Sequence, residues 1–89
     1  MMYPFLKLAD DTEIVHSEFL ADETVRVYIE KPIDGGFKLA YCFLPNYRWN
    51  EVIGFTENEI NRFQEILEST AHLIISFAKE GGFENAAGF

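Results

Sequence analysis

His16 and Cys42 are the residues of this 89-residue sequence best suited to nucleophilic chemistry. A cysteine becomes an effective nucleophile when a histidine contacts it and a third group orients that histidine. Strand periodicity places His16 and Cys42 at outward positions of two separate strands, and their spacing supplies neither the contact nor the third group. We therefore predict two unrelated strand residues, no catalytic residues and no enzymatic activity.

Glu65, Glu68 and His72 follow one another at i, i+3 and i+7 in a predicted helix. Carboxylates and imidazoles bind metal ions, but a metal site needs a complete set of ligands. A solvated helix face with an interacting Glu68–His72 pair explains the same spacing without an ion. Gly35-Gly36 joins two predicted strands, whereas phosphate-binding glycine loops precede a helix. The sequence thus predicts no metal and no cofactor.

Two groups of residues are candidates for binding. Tyr47-Arg48-Trp49 combines residue types that dominate protein-binding hot spots. The alternative for this segment is a loop that folds over the core and buries Trp49. Arg26, Tyr28 and Lys38 share one strand parity, and an aromatic ring between cations on an open sheet suits stacked bases and phosphates. The alternative for this second group is a solvated face of mixed charge.

The elements that position these residues are strands with period-two alternation at residues 13–20, 24–30 and 37–44. A five-residue hairpin loop at residues 32–36 connects the last two. Residues 51–55 fit a short further strand, and residues 4–8 fit an edge strand or an N-terminal arm, because Pro4 lacks an N–H. We expect one alternating face of each strand to meet the core, namely the face formed by Val15, Ser17, Phe19, Val25, Val27, Ile29, Phe37, Leu39, Tyr41 and Phe43.

A long helix is predicted after the sheet, at residues 56–80. Thr56 and Glu59 form a capping box at its start, and Gly81-Gly82 ends it. Its apolar stripe is widened by Ile66, Leu73 and Phe77, more than one sheet face requires. The prediction is a single α+β domain over residues 1–89: an antiparallel meander of four strands, or five with residues 4–8, covered on one face by the helix. Residues 81–89 form a tail.

Composition bears on partners and compartment. The net charge is −8, which disfavours nucleic acid and favours a basic partner. Nine phenylalanines in so short a chain favour a homodimer. The single cysteine predicts a reducing compartment, and residues 1–7 do not resemble a signal peptide. No apolar run reaches membrane-spanning length. We expect a cytoplasmic protein.

The junction between the last strand and the helix resembles that of the single-stranded-DNA-binding transcriptional coactivator family and its Whirly relatives. The matching stretch is Val52-Ile53-Gly54-Phe55-Thr56-Glu57-Asn58-Glu59, which continues into Ile60-Asn61-Arg62-Phe63. The resemblance covers residues 13 to 75 in layout. It implies a dimer packed largely through its helices and a curved sheet whose open face takes single strands. Arg26, Tyr28 and Lys38 would then be the open-face residues.

Two functional hypotheses follow from these observations. The first is a small non-enzymatic dimeric binding protein, a regulator that binds single-stranded nucleic acid or acts in transcription. The alternative is an acidic protein-interaction module, an inhibitor or nucleic-acid mimic that engages a basic protein. Oligonucleotide binding separates the two hypotheses.

Overall fold

The computed structural model describes residues 2–81, which form five strands and one helix. The elements are β1 (Met2–Lys7), β2 (Glu13–Ser17), β3 (Val25–Ile33), β4 (Gly36–Leu44), β5 (Arg48–Ile53) and α1 (Glu57–Lys79). The strands lie side by side in chain order, and every neighbouring pair is antiparallel. The predicted α+β meander with one helix after the sheet is confirmed, and residues 4–7 belong to an edge strand, β1. The predicted tail lies largely outside the described residues.

The β3–β4 hairpin differs from the sequence prediction by one residue of register. Ile33 pairs with Gly36, so the loop contains only Asp34 and Gly35 rather than five residues. The tighter loop pairs Val27 with Cys42, where the longer one would pair Val27 with Tyr41. Cross-strand partners lie on the same face of a sheet, and a one-residue slip exchanges the two faces. The expectation that Phe37, Leu39, Tyr41 and Phe43 face the core is therefore wrong.

The core lies between the sheet and α1. On β4 the residues facing the helix are Ala40, Cys42 and Leu44, which are fully buried beside Val25, Val27 and Ile29 of β3. On β2 the core positions are Ile14 and His16 rather than Val15, because Ile14 pairs with Ile29 and His16 with Val27. Phe19 lies beyond the end of β2 and packs against the core as predicted. The helix contributes Phe63, Leu67, Ala71, Ile74 and Ala78.

The capping box starts α1 as predicted. Thr56 Oγ1 accepts a hydrogen bond of 3.2 Å from the N–H of Glu59, and the Glu59 carboxylate accepts one of 2.9 Å from the N–H of Thr56. Most of the surplus apolar surface of the helix is used within the chain: Ile66 packs against the core and Phe77 contacts Phe5 of β1. Of Ile66, Leu73 and Phe77, only Leu73 remains exposed to solvent, at 42%. Within residues 2–81, no helix is long and apolar enough to cross a membrane.

Candidate binding site on the open sheet face

The helix covers one face of the sheet, and we call the other side the open face. Residues that pair across neighbouring strands form rows on it. One end row runs from Arg26 through Phe43 to Arg48, and the middle row contains Val15, Tyr28, Tyr41 and Asn50. The next row contains Lys7, Glu13, Glu30, Leu39 and Ile53, followed by Pro32 and Phe37. The two arginines thus lie at one end of the open face, and the two glutamates lie in a row toward the other end.

The positive end is an arginine–aromatic cluster formed by Arg26, Tyr28, Tyr41, Phe43 and Arg48. The guanidinium carbon of Arg26 lies 5.9, 5.5 and 5.3 Å from the ring centroids of Tyr28, Tyr41 and Phe43. On β5, the guanidinium carbon of Arg48 lies 5.1 Å from the ring centroid of its cross-strand partner Phe43. These distances are within the range of cation–π attraction, so the rings hold both cations on the surface.

Hydrogen bonding leaves donors free in this cluster. Arg26 Nη1 donates to the hydroxyl of Tyr28 at 3.2 Å, whereas its buried Nε has no acceptor among the described residues. Neither arginine forms an ion pair within residues 2–81. The Thr24 hydroxyl is the main group that lowers the pKa of Asp22, and Arg48 contributes less to this lowering. The exposed guanidinium of Arg48 can therefore still bind an anion.

The negative end is built around two carboxylates that face each other. Glu13 and Glu30 are direct cross-strand partners, an arrangement of like charges that is destabilising unless a cation lies nearby. They line an open depression together with Lys7, Asp11, Pro32 and Phe37. Neither glutamate is within ion-pair distance of a cation in the part of the chain that the structure describes.

Lys38 does not join Arg26 and Tyr28, contrary to the sequence prediction. The register of the β3–β4 hairpin places it opposite Lys31 on the helix side of the sheet. Its Nζ lies 3.6 Å from the Glu59 carboxylate and 5.9 Å from the Phe55 ring centroid. Lys38 thus helps to attach the start of α1 to β4.

The segment Tyr47-Arg48-Trp49 is divided between the two sides of the sheet. Arg48 belongs to the arginine–aromatic cluster. Trp49 pairs with Cys42 on the helix side and is half-buried there, with its indole donating to Gln64. Tyr47 lies in the turn before β5 and packs against the core. The segment therefore contributes one residue to the candidate site and two to packing.

His16 and Cys42 are core residues rather than outward ones. Both are completely buried, and β3 lies between their strands, so the side chains are separated by two strand spacings, roughly 10 Å. Burial raises the pKa of the Cys42 thiol to about 12. His16 Nδ1 bonds to the carbonyl oxygen of Ser17 at 2.8 Å and its ring packs beside Tyr3 and Phe5. This geometry provides no activated cysteine.

Glu65, Glu68 and His72 lie exposed on the outer surface of α1. Among the residues from 2 to 81, no three histidine, cysteine or acidic side chains are grouped closely enough to hold a metal ion. Gln64 donates to Glu68 at 3.5 Å, a polar contact between side chains one helical turn apart.

Tyr41 and Phe43 are the site residues that the sequence prediction missed. Alternation along β4 places both on one face with Phe37 and Leu39, and that face is predicted to meet the core. The sequence contains the signal needed to place them: an Asp34-Gly35 loop favours a two-residue hairpin, and that loop fixes the pairing of Arg26 with Phe43.

Comparisons with known protein families, curated proteins and solved structures find no match to this chain. The resemblance to single-stranded-DNA-binding coactivators therefore stays a prediction, and the open face is interpreted from its own chemistry.

Proposed function

We propose that this protein is a small non-enzymatic binding protein whose arginine–aromatic cluster binds single-stranded nucleic acid. The observation that carries the proposal is the row Arg26–Phe43–Arg48 beside Tyr28 and Tyr41 on an uncovered sheet. Bases of any sequence stack on aromatic rings and on guanidinium planes, while arginines bind phosphate. A role in transcription, a dimeric state and a cytoplasmic location belong to the same proposal. A buried free thiol at Cys42 suits a reducing compartment.

The strength of binding is limited by charge. The chain as a whole carries −8, and the carboxylates of Glu13 and Glu30 lie on the same face as the cluster. Because only two arginines remain after Lys38 is removed from this face, few counterions are released on binding. We therefore expect weak affinity that is measurable at low ionic strength and falls as salt is added.

The test is fluorescence anisotropy of a labelled single-stranded oligonucleotide at low salt. Arg48→Gln should weaken binding, whereas Arg62→Gln should not. Both substitutions remove one positive charge from an exposed arginine, but Arg62 lies on α1, away from the open face. Tyr28→Ala should weaken the free energy of oligonucleotide binding by about 1–3 kcal/mol, the usual contribution of one base stacked on an aromatic ring. Equal effects of the two arginine substitutions, or no binding at low salt, would contradict the proposal.

A second candidate function is an acidic interaction module that engages a basic protein as an inhibitor or nucleic-acid mimic. The observation in its favour is the exposed outer surface of α1, which carries Glu57, Glu65 and Glu68, with an exposed Glu80 at the C-cap. If no oligonucleotide binds, this acidic surface becomes the leading candidate. Replacing Glu65 and Glu68 by glutamine would then be the first variant to test against basic proteins.

A further inference from the structure

We propose that a second copy of this chain covers the open face, forming a two-fold symmetric dimer, a refinement that rests on the dimeric part of the proposed function. The single chain leaves apolar residues uncovered on this face: Phe37 is 65% exposed and Ile53 is 54% exposed. Leu39 lies between them, because Ile53 is its cross-strand partner and Phe37 is two residues earlier on β4. Exposed apolar groups of this kind mark interaction surfaces.

The distribution of charge on the open face indicates which molecule covers it. Within residues 2–81, Arg26 and Arg48 occupy one end row and form no ion pair with a carboxylate. Glu13 and Glu30 occupy another row, where Lys7 is the cross-strand partner of Glu13 but lies outside ion-pair distance. A surface with a positive end, an aromatic middle and a negative end is complementary to itself when one copy is turned end for end. In a two-fold dimer the same patch is used by both copies, so self-complementarity is the property required.

One symmetry axis brings opposite charges together at each end, and it runs along the middle row, through Tyr28 and Tyr41. Rotation about this axis keeps each strand over its own counterpart and reverses its direction. Arg26 then faces the partner's Glu30, Phe43 faces the partner's Leu39 and Arg48 faces the partner's Ile53. Phe37 lies at the rim of the interface, because no row of the partner faces it. The tyrosines meet at the axis. Two sheets packed face to face in this way are typically rotated by about 30° because each is twisted.

The size of the face predicts a weak dimer. With strands about 4.8 Å apart and about 3.3 Å per residue, the three rows that face one another across this axis span roughly 13 Å by 20 Å. That footprint is smaller than a standard specific interface, so we expect a weak dimer with a dissociation constant that is micromolar at best. The helix, by contrast, presents only Leu73 of its surplus residues as an exposed large apolar side chain.

The dimer and the oligonucleotide would compete for Arg26, Tyr28 and Tyr41. If the arginine–aromatic cluster binds single strands, the dimer is the resting form and the oligonucleotide binds the monomer. The apparent affinity for oligonucleotide should then fall as the protein concentration rises, because a species that cannot bind becomes more populated. Dimerisation itself is measured without nucleic acid, so either proposal can fail while the other stands.

The experiment is sedimentation equilibrium of the full chain with charge-reversal variants. The wild type should dimerise at about 100 µM, a concentration suited to a micromolar interface. Glu30→Arg alone and Arg26→Glu alone should each weaken dimerisation at least tenfold, because each places like charges together at two symmetric contacts. An equimolar mixture of the two variants should dimerise again, since both contacts of the mixed dimer then join opposite charges.

Glu65→Arg is the control, because it changes net charge as Glu30→Arg does but lies exposed on α1. It should leave dimerisation intact. Glu30 is exposed, so its variant also tests the interface if Arg26→Glu does not fold. A monomeric wild type at this concentration overturns the proposal. So does a dimer that Glu30→Arg and Glu65→Arg affect equally, because the open face would then not be the interface.

Discussion

The indole Nε1 of Trp49 donates a hydrogen bond of 2.7 Å to Oε1 of Gln64, which joins the edge strand β5 to the second turn of α1. Gln64→Ala removes the acceptor and should lower the free energy of unfolding by about 0.5–1.5 kcal/mol, the usual net value of one hydrogen bond. Trp49 is the only tryptophan, so its fluorescence reports urea denaturation directly. Glu65→Ala, one position along the helix and fully solvated, should leave the denaturation midpoint unchanged.

The capping box predicts a second stability effect. Thr56→Ala removes the acceptor for the N–H of Glu59 and should cost about 0.5–2 kcal/mol in the free energy of unfolding. Thr56→Ser keeps the hydroxyl and is the matched control. Chemical denaturation followed by circular dichroism measures both, and an effect of the alanine variant no larger than that of the serine variant would show that the cap contributes nothing.

Glu59 predicts how the start of the helix responds to acid. The backbone N–H of Thr56, and to a smaller extent Lys38, hold the pKa of Glu59 below its ordinary value of 4.5. A carboxyl whose pKa is lower in the folded state stabilises the fold above its unfolded pKa, and this contribution is lost as pH falls through the folded value. Wild type should therefore exceed Glu59→Gln in stability at pH 7 and lose that advantage below about pH 4.5.

Thermal unfolding at a series of pH values measures this difference, with Glu65→Gln as the control for removal of an exposed helix carboxylate. A constant difference between wild type and Glu59→Gln across the series would show that the Glu59 carboxylate is not linked to folding.

The strands, the helix and the capping box could be predicted because each depends on local pattern: alternation, an apolar stripe and a Thr-x-x-Glu spacing. Which face of β4 meets the helix could not be predicted from alternation, since Ala40, Cys42 and Leu44 are as apolar as the intervening aromatic residues. Only the pairing register decides, and a loop counted as residues 32–36 instead of Asp34-Gly35 reversed it. This shift of one residue in the register places Lys38 and Cys42 on the wrong side of the sheet in the prediction. It also places Tyr41 and Phe43 in the core, so the prediction does not include them among the site residues.

Burial of Cys42 predicts low chemical reactivity. Because the pKa of its thiol is raised to about 12, almost no thiolate is present at neutral pH, and the side chain is also closed to solvent. A thiol reagent such as 5,5′-dithiobis(2-nitrobenzoate) should react with the native protein only as fast as the chain opens. The same protein in urea should react at the rate of a free cysteine. Rapid reaction of the native protein would place Cys42 at the surface, and with it the opposite face of β4 in the core.

Gly54, between β5 and α1, predicts the largest effect of adding a single methyl group. Its φ is +85°, a backbone conformation that residues with a Cβ atom rarely adopt. A Cβ at this position would lie 3.0 Å from Cγ of Lys38. Gly54→Ala should therefore lower the free energy of unfolding by about 1–2 kcal/mol, through backbone strain and displacement of Lys38 from Glu59. Gly36→Ala is the matched control, because a Cβ at that position meets no atom within 4 Å and its φ is not positive. Urea denaturation of both variants makes the comparison, and equal midpoints would mean that the turn before α1 is not held in this conformation.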